Sequence, residues 1–280
     1  MHTTHIVPLP RRPALELGPH PLIMGILNVT PDSFSDGGLH NTLDQAVTHA
    51  RAMLAEGADI IDIGGESTRP GSETVAVQEE LDRVIPVIDA LRSAGITAPI
   101  SIDTYKPLVA DQAIQAGADI INDVYGLQGA PEMAEVAALY GSPVIAMHWD
   151  KGWDAQTLPL PAMIDYFART LDIADAAGLA RTQLILDPGF GFSKTLAQNY
   201  QILRLLPELV GAYPEHAVLV GTSRKSMIGK LLNNEPGERL PGTIATTVQG
   251  YERGGHIFRV HDVAANRDAL RVAQATLYGP

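Results

Sequence analysis

Glu56-Gly57-Ala58-Asp59-Ile60-Ile61-Asp62-Ile63-Gly64 returns sixty residues later as Ala116-Gly117-Ala118-Asp119-Ile120-Ile121-Asn122-Asp123-Val124. Each phrase reads as a helix end, a glycine turn and a short apolar strand, so the pair marks a repeated βα unit. Working outward, the same alternation covers most of the chain. Candidate strands are Leu22–Leu27, Asp59–Ile63, Pro99–Ile102, Asp119–Asn122, Pro143–Met147, Gln183–Leu186, Ala217–Val220 and His256–Val260. They are mostly continuous apolar runs, as expected of strands buried on both faces of a parallel sheet. Between them, apolar periodicity predicts helices over Thr42–Glu56, Glu79–Ala94, Pro107–Ala116, Pro131–Tyr140, Pro161–Ala177, Asn199–Val210, Thr243–Arg253 and Val263–Leu277. Several begin at Pro and stop at Gly, the usual asymmetry of helix ends.

Eight such units in 280 residues take about 35 residues each, enough for a βαβ element. An open doubly wound sheet and a closed barrel both satisfy this pattern. No G-x-G-x-x-G follows the first strand, which removes the usual dinucleotide-binding open sheet. Polar residues then decide. Asn28, Glu66–Arg69, Asp103, Asn122, His148, Asp187, Ser223–Lys225, Arg259 and His261 stand at or just past the C-terminal ends of the strands. A barrel brings all those ends to one mouth, whereas an open sheet strings them along an edge. The expectation is a single (β/α)₈ barrel over residues 21–280, with residues 1–20 as an extension closing its floor.

Composition narrows the function. Apolar residues make up 45% and charged residues 19%, an ordinary globular mixture. There is no cysteine, so disulfides, thiolate zinc sites and cysteine nucleophiles are excluded, and a reducing compartment is fitting. The net charge of −12 argues against nucleic acid as a partner, while leaving room for a small anion in a locally basic pocket. No apolar run reaches the ~18 residues of a membrane span, and Met1–Pro13 lacks the apolar core of a signal peptide. The expectation is a cytoplasmic protein.

Two sets of side chains carry chemistry. Asp103, Asn122 and Asp187 are each ordinary as turn or cap residues, but together on one rim they suit a flat heterocycle with N–H donors. Arg69, Lys225, Arg259 and His261 form a basic set, with the hydroxyls of Gly221–Ser226 beside them. Arg259 stands inside the apolar run Ile257–Val260, where an arginine without an anionic partner is costly. The polar loop Asn28–Gly38 offers oxygens for Mg²⁺, an ion that needs few protein ligands when phosphates supply the rest. Paired acids also serve glycoside hydrolysis, but only 5% aromatic residues and the cations on the same rim disfavour a sugar groove. His148 reads as scaffold, and Trp149 and Trp153 as packing or rim.

The motifs Met24–Gly38, Gly64–Gly71, Ile121-Asn122-Asp123, Leu186–Phe192, Ser223–Ser226 and Arg259-Val260-His261-Asp262 resemble those of the dihydropteroate synthase family, in order from about Pro21 to Leu277. The resemblance implies a (β/α)₈ barrel, usually a homodimer. It implies joining of 6-hydroxymethyl-7,8-dihydropterin diphosphate to 4-aminobenzoate with loss of pyrophosphate, in folate biosynthesis. It assigns Asp103, Asn122, Asp187 and Lys225 to the pterin. Thr68, Arg69, Arg259 and His261 go to the diphosphate, with Arg259 also over the ring. Asn28 goes to Mg²⁺, Asp36 to the cationic pterin, and Pro70, Phe192, Ser223 and Lys225 to the aminobenzoate. Sulfonamides, which mimic aminobenzoate in that family, are expected to inhibit. Three places depart from the pattern: Tyr105 after Asp103-Thr104, Val124-Tyr125 after Asp123, and Met147–Gly152 with Trp149. Two other readings share the pterin grip: a corrinoid-dependent methyltransferase, which needs no diphosphate cluster, and a non-catalytic pterin-binding relative.

Overall fold

The computed structural model describes residues 2–29, 39–67 and 74–280, with the backbone alone for 39–42. Eight parallel strands close into the expected barrel: β3 (Leu22–Asn28), β4 (Ile60–Gly64), β5 (Ile100–Asp103), β6 (Ile120–Asp123), β7 (Val144–Met147), β8 (Leu184–Asp187), β9 (Ala217–Val220) and β10 (Ile257–Val260). β10 pairs with β3 to complete the ring. Around it lie α1 (Leu39–Glu56), α2 (Val77–Ser93), α3 (Pro107–Ala116), α4 (Glu132–Tyr140) and α5 (Pro159–Ala176). The ring of helices continues with α6 (Leu196–Arg204), α7 (Leu206–Ala212), α8 (Ser226–Leu232), α9 (Leu240–Glu252) and α10 (Val263–Tyr278). The outward faces of the strands bury against these helices in one continuous core that includes Ile63, Ile102, Ile121, Leu186, Phe167 and Phe258.

The N-terminal residues fold as an antiparallel hairpin, β1 (His5–Leu9) with β2 (Arg12–Leu17). Its Val7, Leu9, Leu15 and Leu17 pack against Met24, Ile60, Ile120, Ile145, Ile185, Ala217, Leu219 and Ile257, apolar residues of all the barrel strands but β5. The hairpin therefore plugs the end of the barrel opposite the polar residues. Each side chain so buried contributes roughly 1.5–3 kcal/mol. Arg12 from the hairpin and Arg92 from α2 both reach Asp119 Oδ2, at 2.8 and 2.7 Å.

The repeated phrase is structurally equivalent in its two copies. Gly57 and Gly117 end α1 and α3 at φ +98° and +125°, a conformation that favours glycine. Asp59 and Asp119 each accept a backbone N–H at the start of the preceding strand, Ile23 at 2.8 Å and Ile100 at 3.0 Å. The element boundaries differ from expectation in two instructive places. The run Asn199–Val210 is two helices, because Pro207 has no N–H to continue the first and instead sits in the opening turn of the second. α1 starts at Leu39, ahead of the expected Thr42. No helix among the described residues is long and apolar enough to cross a membrane.

Candidate active site at the C-terminal mouth of the barrel

Register builds the mouth. Asn28 pairs with Gly64, Gly64 with Asp103, and Asp103 with Asn122, so four neighbouring strands place these residues in one layer. Two strands further round, Asp187 ends β8 opposite Met147. Arg259 rises from β10 and is held by two carboxylates. Its Nε donates to Asp62 Oδ2 at 2.6 Å and its Nη2 to Asp103 Oδ2 at 2.7 Å. The two acids keep its charge more firmly than in water, against the opposing effect of burial. Asp62 also accepts from Asn122 Nδ2, at 3.3 Å. Sequence reading passed over Asp62. The signal was present: a carboxylate in Ile60-Ile61-Asp62-Ile63 is as anomalous as a guanidinium in Ile257–Val260, and the repeat aligns it with Asn122.

The electrostatics match a site built to hold charge out of water. Burial pushes Asp103 up, with Arg259 opposing and Asp62 adding to the rise. Burial likewise raises Asp187, with Lys225 opposing. Lys225 is lowered to about 8, by burial first, while Asp187 resists the loss of its proton. Its ammonium donates to the Phe190 carbonyl and lies 4.4 Å from the centre of the Phe192 ring. The loop carrying Phe192 has little room to vary. A side chain at Gly189 (φ +70°) would meet the His148 carbonyl at 2.1 Å, and one at Gly191 (φ +83°) would meet Lys225 Cδ at 3.0 Å. Lys194, another residue that sequence reading missed, ties this loop by donating to the carbonyls of His148, Gly189 and Phe192.

Ser223 lies beside His261. Its Oγ is 2.9 Å from Nδ1 of the imidazole and accepts the His261 backbone N–H at 3.1 Å. These two contacts orient the histidine. Arg224, in the same motif, pairs with Asp262 and links the loop after β9 to the end of β10. His148 is fully buried among Trp153, Tyr166 and Phe167, and burial drives its pKa down to about 2, so it is neutral scaffold. Asp36, Thr68, Arg69 and Pro70 lie outside the described residues.

Residues 24–261 match the family described as pterin binding enzyme. The dihydropteroate synthase of Escherichia coli (strain K12) is 49% identical over 265 residues, 92% of this chain and 92% of that one. The chain belongs to the dihydropteroate synthase family of pterin-binding enzymes. Two solved structures share the fold closely. The Xanthomonas albilineans dihydropteroate synthase with 4-aminobenzoic acid is 43% identical, with a TM-score of 0.92 over 99% of this chain and 100% of that one. The same organism's enzyme in complex with 7,8-dihydropteroate is also 43% identical, with a TM-score of 0.83 over 93% and 95% of the two chains.

In this dihydropteroate synthase family member, the three departures noted in the sequence converge. Tyr105 meets Tyr125 edge-on at 5.3 Å, Tyr125 stacks on Trp149 at 4.9 Å, and Trp149 leans on Phe192 at 5.0 Å. A rim of four rings thus runs from β5 to the loop after β8. Beside it opens a cavity of about 650 Å³, lined in part by Tyr105, Tyr125, Trp149, Lys151 and Arg169. The Tyr105 hydroxyl donates to Glu66 Oε1 at 2.9 Å. Next to it, Lys106 Nζ donates to Glu66 Oε2 at 2.5 Å, to Glu80 Oε2 at 2.6 Å and to the Val75 carbonyl at 2.6 Å. One buried ammonium therefore joins the residues on either side of segment 67–74, which carries the second half of the motif Gly64–Gly71.

Proposed function

We propose that the enzyme condenses 6-hydroxymethyl-7,8-dihydropterin diphosphate with 4-aminobenzoate, giving 7,8-dihydropteroate and pyrophosphate. One observation carries this reading: Asp103, Asn122, Asp187, Arg259 and Lys225 surround a single barrel mouth in a chain that belongs to the dihydropteroate synthases.

The carboxylates of Asp103 and Asp187 and the amide of Asn122 bind the amino-pyrimidinone edge of the pterin, each charge-assisted bond contributing roughly 1.5–3 kcal/mol. Lys225 holds the ring from the side of Asp187 and, with Pro70, Phe192 and Ser223, shapes the aminobenzoate pocket. Arg259 and His261, with Thr68 and Arg69, take the diphosphate, and Arg259 covers the ring. Asp36 stabilises the cation that develops on the pterin methylene. The C–O bond to the diphosphate breaks, the arylamine nitrogen forms the new C–N bond, and that nitrogen then loses a proton. Fixed cations stabilise the departing pyrophosphate without having to reorganise as its charge develops.

Asn28 is exposed at the end of β3 and offers one neutral carboxamide oxygen, a donor suited to Mg²⁺ when diphosphate and water complete the shell. Among the described residues, no group of three or more acidic or histidine side chains could hold a metal by itself. When bound, Mg²⁺ supplies further neutralisation of the leaving group. The homodimer belongs to this reading on the strength of the resemblance, and the cytoplasmic location on that of a composition without cysteine, which suits a reducing compartment.

Purified protein supplied with pterin diphosphate, 4-aminobenzoate and Mg²⁺ is expected to release pyrophosphate only when all are present. Pterin binding with no pyrophosphate formed would instead identify a non-catalytic relative.

A further inference from the structure

Arg259 has two carboxylate partners, and they are not equivalent. Asp103 is partly accessible from the mouth, with 12% of its side chain exposed, whereas Asp62 has none. The contacts also use different atoms of the guanidinium, Nε on Asp62 and Nη2 on Asp103. Losing the second therefore leaves the first intact. Asp62 also faces Asn122 Nδ2, with Oδ1 at 3.3 Å and Oδ2 at 3.5 Å. It thus engages the amide nitrogen and leaves the Asn122 oxygen as acceptor.

We propose that Asp62 is a positioning residue that no ligand touches: it keeps Arg259 and Asn122 oriented while Arg259 gives up Asp103 to the incoming heterocycle. This inference rests on the reaction proposed above. Arg259 occupies the carboxylate that the pterin needs. With Asp62 present, the guanidinium retains one buried counter-charge after the exchange, and its Nη2 becomes a donor for the anionic tail. Without Asp62, Arg259 has Asp103 as its one paired acid, and the heterocycle must compete with a buried one-to-one ion pair, whose rupture strands a charge. Titration of Asp103 supplies an independent signature. Arg259, Asp62, Glu80 and Lys225 are the charged groups that act on it. Of these, Asp62 and Glu80 raise its pKa, and Arg259 and Lys225 lower it.

The test is Asp62→Asn, which preserves shape and removes the charge. The expected result is a KM for pterin diphosphate raised roughly 10-fold or more, with the KM for 4-aminobenzoate unchanged. The acid limb of kcat/KM should also move to lower pH, because Asp103 loses a neighbour that favours its proton. A change that merely loosened the fold would not move that limb. In an Arg259→Met background, the same substitution should raise KM by much less than in the wild type, because only its hold on Asn122 remains to be lost. Asp62→Ser serves in the same assays if the asparagine variant does not fold. Calorimetric binding of pterin diphosphate separates the two readings. An inactive wild type whose affinity still falls roughly 10-fold on Asp62→Asn refutes the reaction and keeps the positioning role. A folded variant with wild-type affinity, KM and pH profile overturns the role of Asp62.

Discussion

Arg259→Ala is expected to lose both catalysis and stability, with pyrophosphate release falling by about 10²–10³ or more. The guanidinium is one of the cations that receive the leaving group in the proposed reaction. It is also the cation paired with Asp62 and Asp103. Its removal leaves two carboxylates close together in the barrel, and breaking a buried pair from one side costs about 3–5 kcal/mol. The stability loss has a pH signature. Burial already pushes Asp103 up, and without the opposing Arg259 it binds its proton still more tightly in the folded than in the unfolded state, so folding gains stability as pH falls. The deficit relative to wild type, read from urea midpoints, should therefore shrink between pH 8 and about pH 5. An Arg259→Ala protein with wild-type midpoints at every pH would show that Asp62 and Asp103 do not depend on this cation.

Lys225→Ala is expected to lower kcat/KM by a similar factor, about 10²–10³, while leaving the fold intact. The contrast has a structural origin. Asp187, facing Lys225, keeps its bond from the Gly189 backbone N–H at 2.8 Å when the lysine is gone. The wild-type pH profile should also carry Lys225. Its pKa is lowered to about 8 by burial, so activity that needs the ammonium is present below that pH and declines above it. The variant should lack this basic limb. A basic limb unchanged in Lys225→Ala would assign it to another group and remove Lys225 from the charged form of the site.

Much of this site was legible because barrels place charge where periodicity forbids it. Arg259 interrupts an apolar strand, and Asp103, Asn122 and Asp187 recur at strand ends, so chain order alone brought them to one mouth. Asp62 carried the same signal and escaped because it lies inside the strand, two residues short of its end, where a polar residue was read as part of the repeat. Lys106 and Lys194 gave no such signal. Lysine beside proline at a helix start, or in a glycine-rich loop, is ordinary, and their partners lie up to 40 and 46 residues away. The aromatic rim was visible only as separate departures at Tyr105, Tyr125 and Trp149. Their contact with one another and with Phe192 follows from barrel closure, which no local pattern contains. The break at Leu205 was readable from Pro207, but a continuous apolar stripe hid it.

The central claim is that acids of the mouth hold the heterocycle while its bases receive the diphosphate. A crystal structure with pterin diphosphate bound tests this most directly. The ring should lie on Asp103, Asn122 and Asp187, with Arg259 released from Asp103, still on Asp62, and turned to the phosphates. A ring seated instead in the rim cavity beside Tyr125 and Trp149, with the Arg259–Asp103 pair unbroken, would contradict the account.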